Sequence, residues 1–128
     1  MYEGGCRCGK IRYRAEAAGI WPHLCSCQDC QRLSGGPVMA WVGFPADAFS
    51  WTGEGGEPTW FYTFPDIGRG FCPTCGSTLA SKGDVPGEVG VTIMSLDDHT
   101  TLTPEHQSFK ADAVPWLPII ATTSRSRP

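Results

Sequence analysis

No stretch of this chain approaches the roughly 20 consecutive apolar residues that a membrane-spanning helix requires. Its first residues, Met1-Tyr2-Glu3-Gly4-Gly5, hold no basic segment leading into an apolar run. A soluble, unexported, cytoplasmic protein without a membrane partner is the expectation. Positive charge is scarce too. Ten Lys and Arg against thirteen Asp and Glu leave a formal net charge of −3, which gives no broad cationic face for a phosphate backbone, so no nucleic acid is expected as partner. Repeats, heptads and low-complexity linkers are missing, which removes repeat arrays and coiled coils. Acidic residues are scattered without a paired-carboxylate pattern, and Asp97-Asp98 reads as the end of a strand rather than as an acid-base pair.

Glycine and proline are abundant instead. Sixteen Gly and eleven Pro in 128 residues are too many for a helical protein and suit short strands separated by turns. The length fits a single domain over residues 1–120 with one modest core, helped by five Trp and six Phe. Residues 121–128 are small, polar and basic at Arg125 and Arg127, and read as a disordered tail. Residues 10–16 alternate apolar with charged, and 20–25, 38–44, 77–81 and 88–93 also read as strands. The segments 49–52 and 59–64 flank Gly53-Glu54-Gly55-Gly56-Glu57-Pro58 and read as a hairpin. Residues 28–34 carry no breaker before Gly35, which predicts one or two helical turns with a glycine cap.

Seven cysteines fall in three clusters: Cys6-Arg7-Cys8, Cys25-Ser26-Cys27-Gln28-Asp29-Cys30, and Cys72-Pro73-Thr74-Cys75. Thiols in a reducing cytosol stay free, so clustered cysteines there are more often metal ligands than disulfides. Cysteines one to four residues apart can bite the same zinc ion. Gly4, Gly5 and Gly9 around the first pair, and Pro73 and Gly76 around the last, help the chain turn. Two pairs from distant segments make a closed tetrahedral site, so Cys6, Cys8, Cys72 and Cys75 are assigned to a structural zinc that locks the N-terminal strand to the middle of the domain. Cys25, Cys27 and Cys30 can hold a second ion unaided, and three thiolates leave room for one more donor. Four plus three is the economical division, because any other grouping strands a pair. The competing uses are disulfides, a thioredoxin-like redox pair at Cys72 and Cys75, and an iron-sulfur cluster. They are disfavoured in turn by compartment, by the lack of a long helix after the motif, and by spacing that fits no common ferredoxin pattern. His23 shares a strand face with Cys25 and could complete the trio, although a satisfied or exposed histidine is the commoner role, as for His99 and His106.

The strings Gly-Gly-Cys-Arg-Cys-Gly-Lys-Ile-Arg-Tyr from Gly4, Cys-Ser-Cys-Gln-Asp-Cys-Gln-Arg-Leu-Ser-Gly from Cys25, and Phe-Cys-Pro-Thr-Cys-Gly-Ser-Thr-Leu from Phe71 resemble the glutathione-dependent formaldehyde-activating enzyme family, which also includes centromere protein V. Ser95-Leu96-Asp97-Asp98, Pro104, His106, Lys110 and Trp116 continue the likeness, which runs over residues 4–117. The resemblance implies a mostly β architecture, a β-tent fold of packed antiparallel sheets with short helical turns and two zinc sites. It makes Cys6, Cys8, Cys72 and Cys75 structural ligands and Cys25, Cys27 and Cys30 ligands of a catalytic ion. It implies a carbon-sulfur lyase that joins formaldehyde and glutathione as S-hydroxymethylglutathione, with a small thiol such as glutathione as partner. The carboxylates of that partner would be held by Arg32, Arg12 or Lys10, with Arg32 first because it follows the zinc turn. One departure stands out: family members commonly carry His between the first two cysteines of the middle motif, and this chain has Ser26. The centromere-protein branch implies an alternative, a non-catalytic zinc-binding module for protein interaction.

Overall fold

The computed structural model describes residues 1–120. The tail expected at 121–128 lies outside the described residues. Along the chain run β1 (Tyr2–Gly5), β2 (Arg12–Ala15), β3 (Ile20–Cys25), α1 (Gln28–Ser34), β4 (Met39–Pro45), β5 (Phe49–Trp51), β6 (Thr59–Phe64), β7 (Ile67–Phe71), β8 (Thr78–Lys82), β9 (Glu88–Thr92) and β10 (His106–Ser108). The mostly β architecture of packed sheets and short helical turns is the one expected from the sequence.

The strands form two sheets, β1-β2-β5 and β10-β3-β4-β9-β8-β7-β6. Alternation in β2 sets how they meet. Tyr13 and Ala15 are wholly buried while Arg14 is exposed, so one face of the small sheet turns inward. There Tyr13 stacks on Phe49, meets Trp51 edge-on, and shares a hydrogen bond of 2.6 Å with the Ser95 hydroxyl. Opposite it in register is Gly4, where a Cβ would lie 2.4 Å from the Tyr13 hydroxyl oxygen. The core is Tyr13 and Ala15 packed on Val42 and Phe44 of β4 and on Val91, Ile93, Leu96 and Leu102. Because side chains alternate along β4, Trp41 and Gly43 point to the opposite face. That second face of the large sheet carries a cavity.

Every strand pairing is antiparallel except β10 with β3, which is parallel. The hairpin expected from 49–52 and 59–64 does not form: β5 pairs with β2 and β6 with β7. Long-range packing outweighs the local turn signal. Phe49 and Trp51 belong against Tyr13, and the chain after β5 is held to the small sheet by bonds from Thr52 N–H to Arg12 O and from Gly55 N–H to Lys10 O, both 2.8 Å. Residues 53–58 therefore cross from one sheet to the other. Strands β1, β7 and β10 were not expected. No helix among the described residues is long and apolar enough to cross a membrane.

Candidate metal centres and the cavity beside them

Two similar turns build the four-cysteine group, one leaving β1 of the small sheet and one leaving β7 of the large sheet. Each ends in a left-handed glycine, φ 84° at Gly9 and φ 80° at Gly76, whose N–H bonds the carbonyl of the first cysteine of the turn, at 3.2 and 2.8 Å. Backbone N–H groups then point at sulfur, Ile11 to Cys6 Sγ at 3.3 Å and Cys75 to Cys72 Sγ at 3.5 Å. Ser77 links the turns: its Oγ accepts the Arg7 N–H at 3.0 Å and lies 3.2 Å from Cys75 Sγ. That hydroxyl is the leading cause that pushes the Cys75 pKa down to about 5.

The four sulfurs lie within 4.8 Å of one another, with Cys6 to Cys8 at 3.6 Å and Cys8 to Cys72 at 3.8 Å. A disulfide would need about 2.05 Å. Thiolates around a tetrahedral ion at about 2.3 Å stand about 3.8 Å apart. Donor type and spacing thus fit a bound metal ion, and they join two sheets at one point.

The three-cysteine group is built within one short stretch. Cys25 ends β3, Cys27 is the N-cap of α1, and Cys30 lies in its first turn. Their sulfurs also lie within 4.8 Å of one another, which fits a metal ion with three thiolate donors. The Cys30 N–H donates to Cys27 Sγ at 3.3 Å. Thiols this close share protons. Cys27 is pushed down to about 2, first by hydrogen bonds from Cys25 and Cys30, then by the Cys30 amide and the charge of Arg69. Cys25 is pushed up to about 11, first by Cys27, and Cys30 is raised by Cys25 and Cys27. The hydrogen bonds from its neighbours thus favour thiolate at Cys27, which suits a cation site. Helix α1 forms where expected, with Gly35 at φ 73° as its C-cap.

Cys25, Cys27 and Cys30 line a cavity of about 450 Å³. None of Cys6, Cys8, Cys72 and Cys75 does. Its floor is one transverse row of the large sheet: Ile20, Gly43, Gly90, Ser81 and Arg69, each opposite the next across β3, β4, β9, β8 and β7. Small side chains in the middle of that row make the space. Trp21 and Trp41 also line the cavity. Trp21 sits at a break in the β3 register with φ 48°, a conformation that costs a non-glycine residue about 1–3 kcal/mol, and its ring stacks on His23 at 4.2 Å and His106 at 5.5 Å.

Two lining residues carry buried polar atoms with no hydrogen-bond partner, Arg69 Nε and Ser108 Oγ. Ser108 stands opposite Cys25 in the parallel pairing of β10 with β3. Orphaned buried groups of this kind are uncommon in folded proteins.

Several expected residues lie elsewhere. Arg32 is exposed and does not line the cavity, because it follows Cys30 by two helical positions, about 200° around α1. Arg12 is engaged by both Asp97 oxygens, at 3.0 and 2.5 Å, and neither it nor Lys10 lines the cavity. Asp98 accepts from Thr100, so the acidic pair is structural. His23 is buried, lines the cavity, and donates from Nδ1 to the Trp21 carbonyl at 2.8 Å. Ser26 is also buried, but it accepts a bond of 2.6 Å from Gln107 Nε2 and does not line the cavity. Alternation turns position 26 toward β10, away from its cysteine neighbours.

Sequence reading passed over Arg69, Ser108 and Trp41. For Arg69 a signal existed in Ile67-Gly68-Arg69-Gly70-Phe71, where glycine at every second position marks a strand with something bulky against one face. The rings of Trp60 and Tyr62 occupy that face, with atoms 3.2 Å from a Cβ placed at Gly68.

A family model described as glutathione-dependent formaldehyde-activating enzyme matches residues 1–112. A protein of Halomonas elongata, provisionally named a glutathione-dependent formaldehyde-activating enzyme, is 31% identical over 86 residues, which cover 62% of this chain and 54% of that protein. The chain thus spans about half the length of that curated relative. The crystal structure of a Rhodobacter sphaeroides protein is similar in fold, with a TM-score of 0.62 at 20% identity over 74% of this chain and 87% of that one. The family match takes in both cysteine groups and every strand of both sheets, and on it the chain belongs to the glutathione-dependent formaldehyde-activating enzyme family.

Proposed function

We propose that this protein is a zinc-dependent carbon-sulfur lyase acting on the adduct of a small thiol with an aldehyde, S-hydroxymethylglutathione being the adduct that its family suggests. One observation supports this above the rest: three clustered thiols open into a cavity of about 450 Å³ while the other four do not. In this reading Cys6, Cys8, Cys72 and Cys75 hold a structural zinc, and Cys25, Cys27 and Cys30 hold a catalytic one. When bound by the trio, zinc supplies a Lewis acid that lowers the pKa of a thiol toward neutrality.

The residues of the chain do the rest. Trp21 and Trp41 confine the substrate and limit water around it, which strengthens polar contacts inside the cavity. Ser108 Oγ, buried next to Cys25 without a partner, is placed to donate a hydrogen bond to the aldehyde oxygen as that oxygen gains charge. In the condensing direction the carbon-sulfur bond forms as the carbonyl π bond opens. The thiol proton is released and the oxygen takes one up from solvent, so thiol and aldehyde give the hydroxymethyl thioether without loss or gain of electrons. A reducing cytoplasm, which keeps seven thiols free, suits this chemistry.

Exchange NMR on glutathione mixed with formaldehyde tests the proposal. The zinc-loaded protein should speed interconversion above the buffer rate in proportion to its concentration. Two bound zinc ions with no acceleration for any thiol would sink the lyase. A non-catalytic zinc module binding a protein would then be the better account, and Phe61 and Tyr62, exposed on the edge strand β6, would be its docking side chains.

A further inference from the structure

Arg69 enters the cavity from β7 opposite Ser81. Its guanidinium carbon lies 5.8 Å from the centre of the Trp41 ring, so the head group and that ring approach each other across the cavity face of the sheet. A guanidinium is a planar fork of donors, and a buried N–H of that fork without an acceptor destabilises the fold that holds it. Arg69 Nε is such a group.

A purely structural arginine in this position would be neutralised by a neighbouring carboxylate. Three are at hand, since Asp29, Glu88 and Asp112 line the same cavity. Yet the ion pairs among the described residues join Arg12 to Asp97 and Arg14 to Glu16, and leave Arg69 out. These cavity carboxylates also repel an anion from the rest of the wall. A carboxylate entering the cavity is therefore drawn to Arg69, beside which Gly90 and Ser81 leave the floor low, while at Gly43 the Glu88 carboxylate covers it, 2.5 Å from where a Cβ would stand.

We propose that Arg69 is the carboxylate anchor of this cavity, and that the thiol partner is selected for carrying a carboxylate within reach of the three-cysteine group. The selection by thiol rests on the lyase reading above; the anchor itself does not. The carboxylate contact expected from Arg32 moves to a residue on the other side of the sheet.

Calorimetric titration of the zinc-loaded wild type, Arg69→Gln and Arg69→Lys with three probes tests this. The probes are glutathione, its diethyl ester, which keeps the thiol and loses both carboxylates, and S-methylglutathione, which keeps the carboxylates and loses the thiol. The wild type should prefer glutathione to the ester by about tenfold or more, the size of effect expected for a charge-assisted fork. Arg69→Gln should abolish that preference and weaken S-methylglutathione by a similar factor. Arg69→Lys should keep part of it, because the charge stays and the fork is lost. A preference ratio that is unchanged in the folded variants overturns the anchor and leaves the thiol site standing. A wild type that binds S-methylglutathione as tightly as glutathione and ignores the ester overturns the thiol site and supports the anchor. If Arg69→Gln does not fold, as judged by circular dichroism, the ratio measured for Arg69→Lys decides.

Discussion

The four-cysteine and three-cysteine groups use the same side chain at nearly the same spacing, yet the fold places them in opposite surroundings. The first collects its ligands from turns leaving two different sheets, with Cys6 and Cys72 packed with Ile11, Leu79 and Ala80 and with Cys8 and Cys75 exposed. The second takes all its ligands from one stretch of chain and faces a cavity. Glycines follow the same division. Gly9 and Gly76 are needed for their left-handed backbone, whereas Gly90 leaves open space and Gly43 makes room for the Glu88 carboxylate. In the proposed reading, what the ligands join and what they face, rather than their number, separate a staple from a working site.

The sharpest way to break this contrast is to remove one ligand from each group. Cys72 is wholly buried, and a structural zinc site contributes about 10–16 kcal/mol against a total stability of about 5–15 kcal/mol. Cys72→Ser should therefore leave the domain unfolded at 25 °C by circular dichroism and NMR dispersion; a cooperative melt near that of the wild type would erase the distinction. Cys27→Ala, by contrast, should stay folded, lose one metal per chain, and return the exchange rate of glutathione and formaldehyde to that of buffer.

Ser108→Ala sharpens the open side. Deleting an unsatisfied buried hydroxyl should leave the melting temperature unchanged or raise it, while the exchange rate falls about 10²-fold with loss of the donor to oxygen. Slower and no less stable is the signature of a functional group held at a structural cost. Among the glycines, Gly76→Ala should lower stability by about 1 kcal/mol, since alanine resists φ 80°. Gly90→Ala meets Ser81 Cβ at an ordinary 3.6 Å, so in denaturant titrations its stability should hold while substrate affinity falls a few-fold.

The smallest effect belongs to Asp97, outside both groups. Arg12 lowers its pKa, first by hydrogen bonding, so the pair stabilises the fold at neutral pH and that contribution is lost as pH falls through the lowered pKa. With side chains 34% and 56% exposed, it is worth under about 1 kcal/mol. Asp97→Asn should melt slightly earlier than the wild type at pH 7, with the gap closing below the ordinary carboxylate range.

The cysteine pattern was legible because ligand spacing is a local property. Cys27 and Cys30 open α1 and Gly35 closes it, all within nine residues. The buried alternation of Tyr13 and Ala15 was legible for the same reason. What escaped depends on distant pairing. β5 obeys Tyr13 rather than the turn that follows it, and β10 is three residues long with its partner some eighty positions earlier. The glycines around Arg69 mark a strand but not a site and Ser108 carries no motif, so the two become candidates only once the sheet sets one opposite Ser81 and the other opposite Cys25. Ser26 shows the converse. Its identity looked like a loss at the site until its bond to Gln107 placed it on the other side of β3.

Zinc content per chain, measured on the wild type and on Cys27→Ala together with their melting temperatures, tests the division of labour most directly. Two ions falling to one, with the fold retained, is the result expected here. One ion in the wild type, or a Cys27→Ala protein that loses both ions and its structure, would show that the two groups are not a staple and a working site.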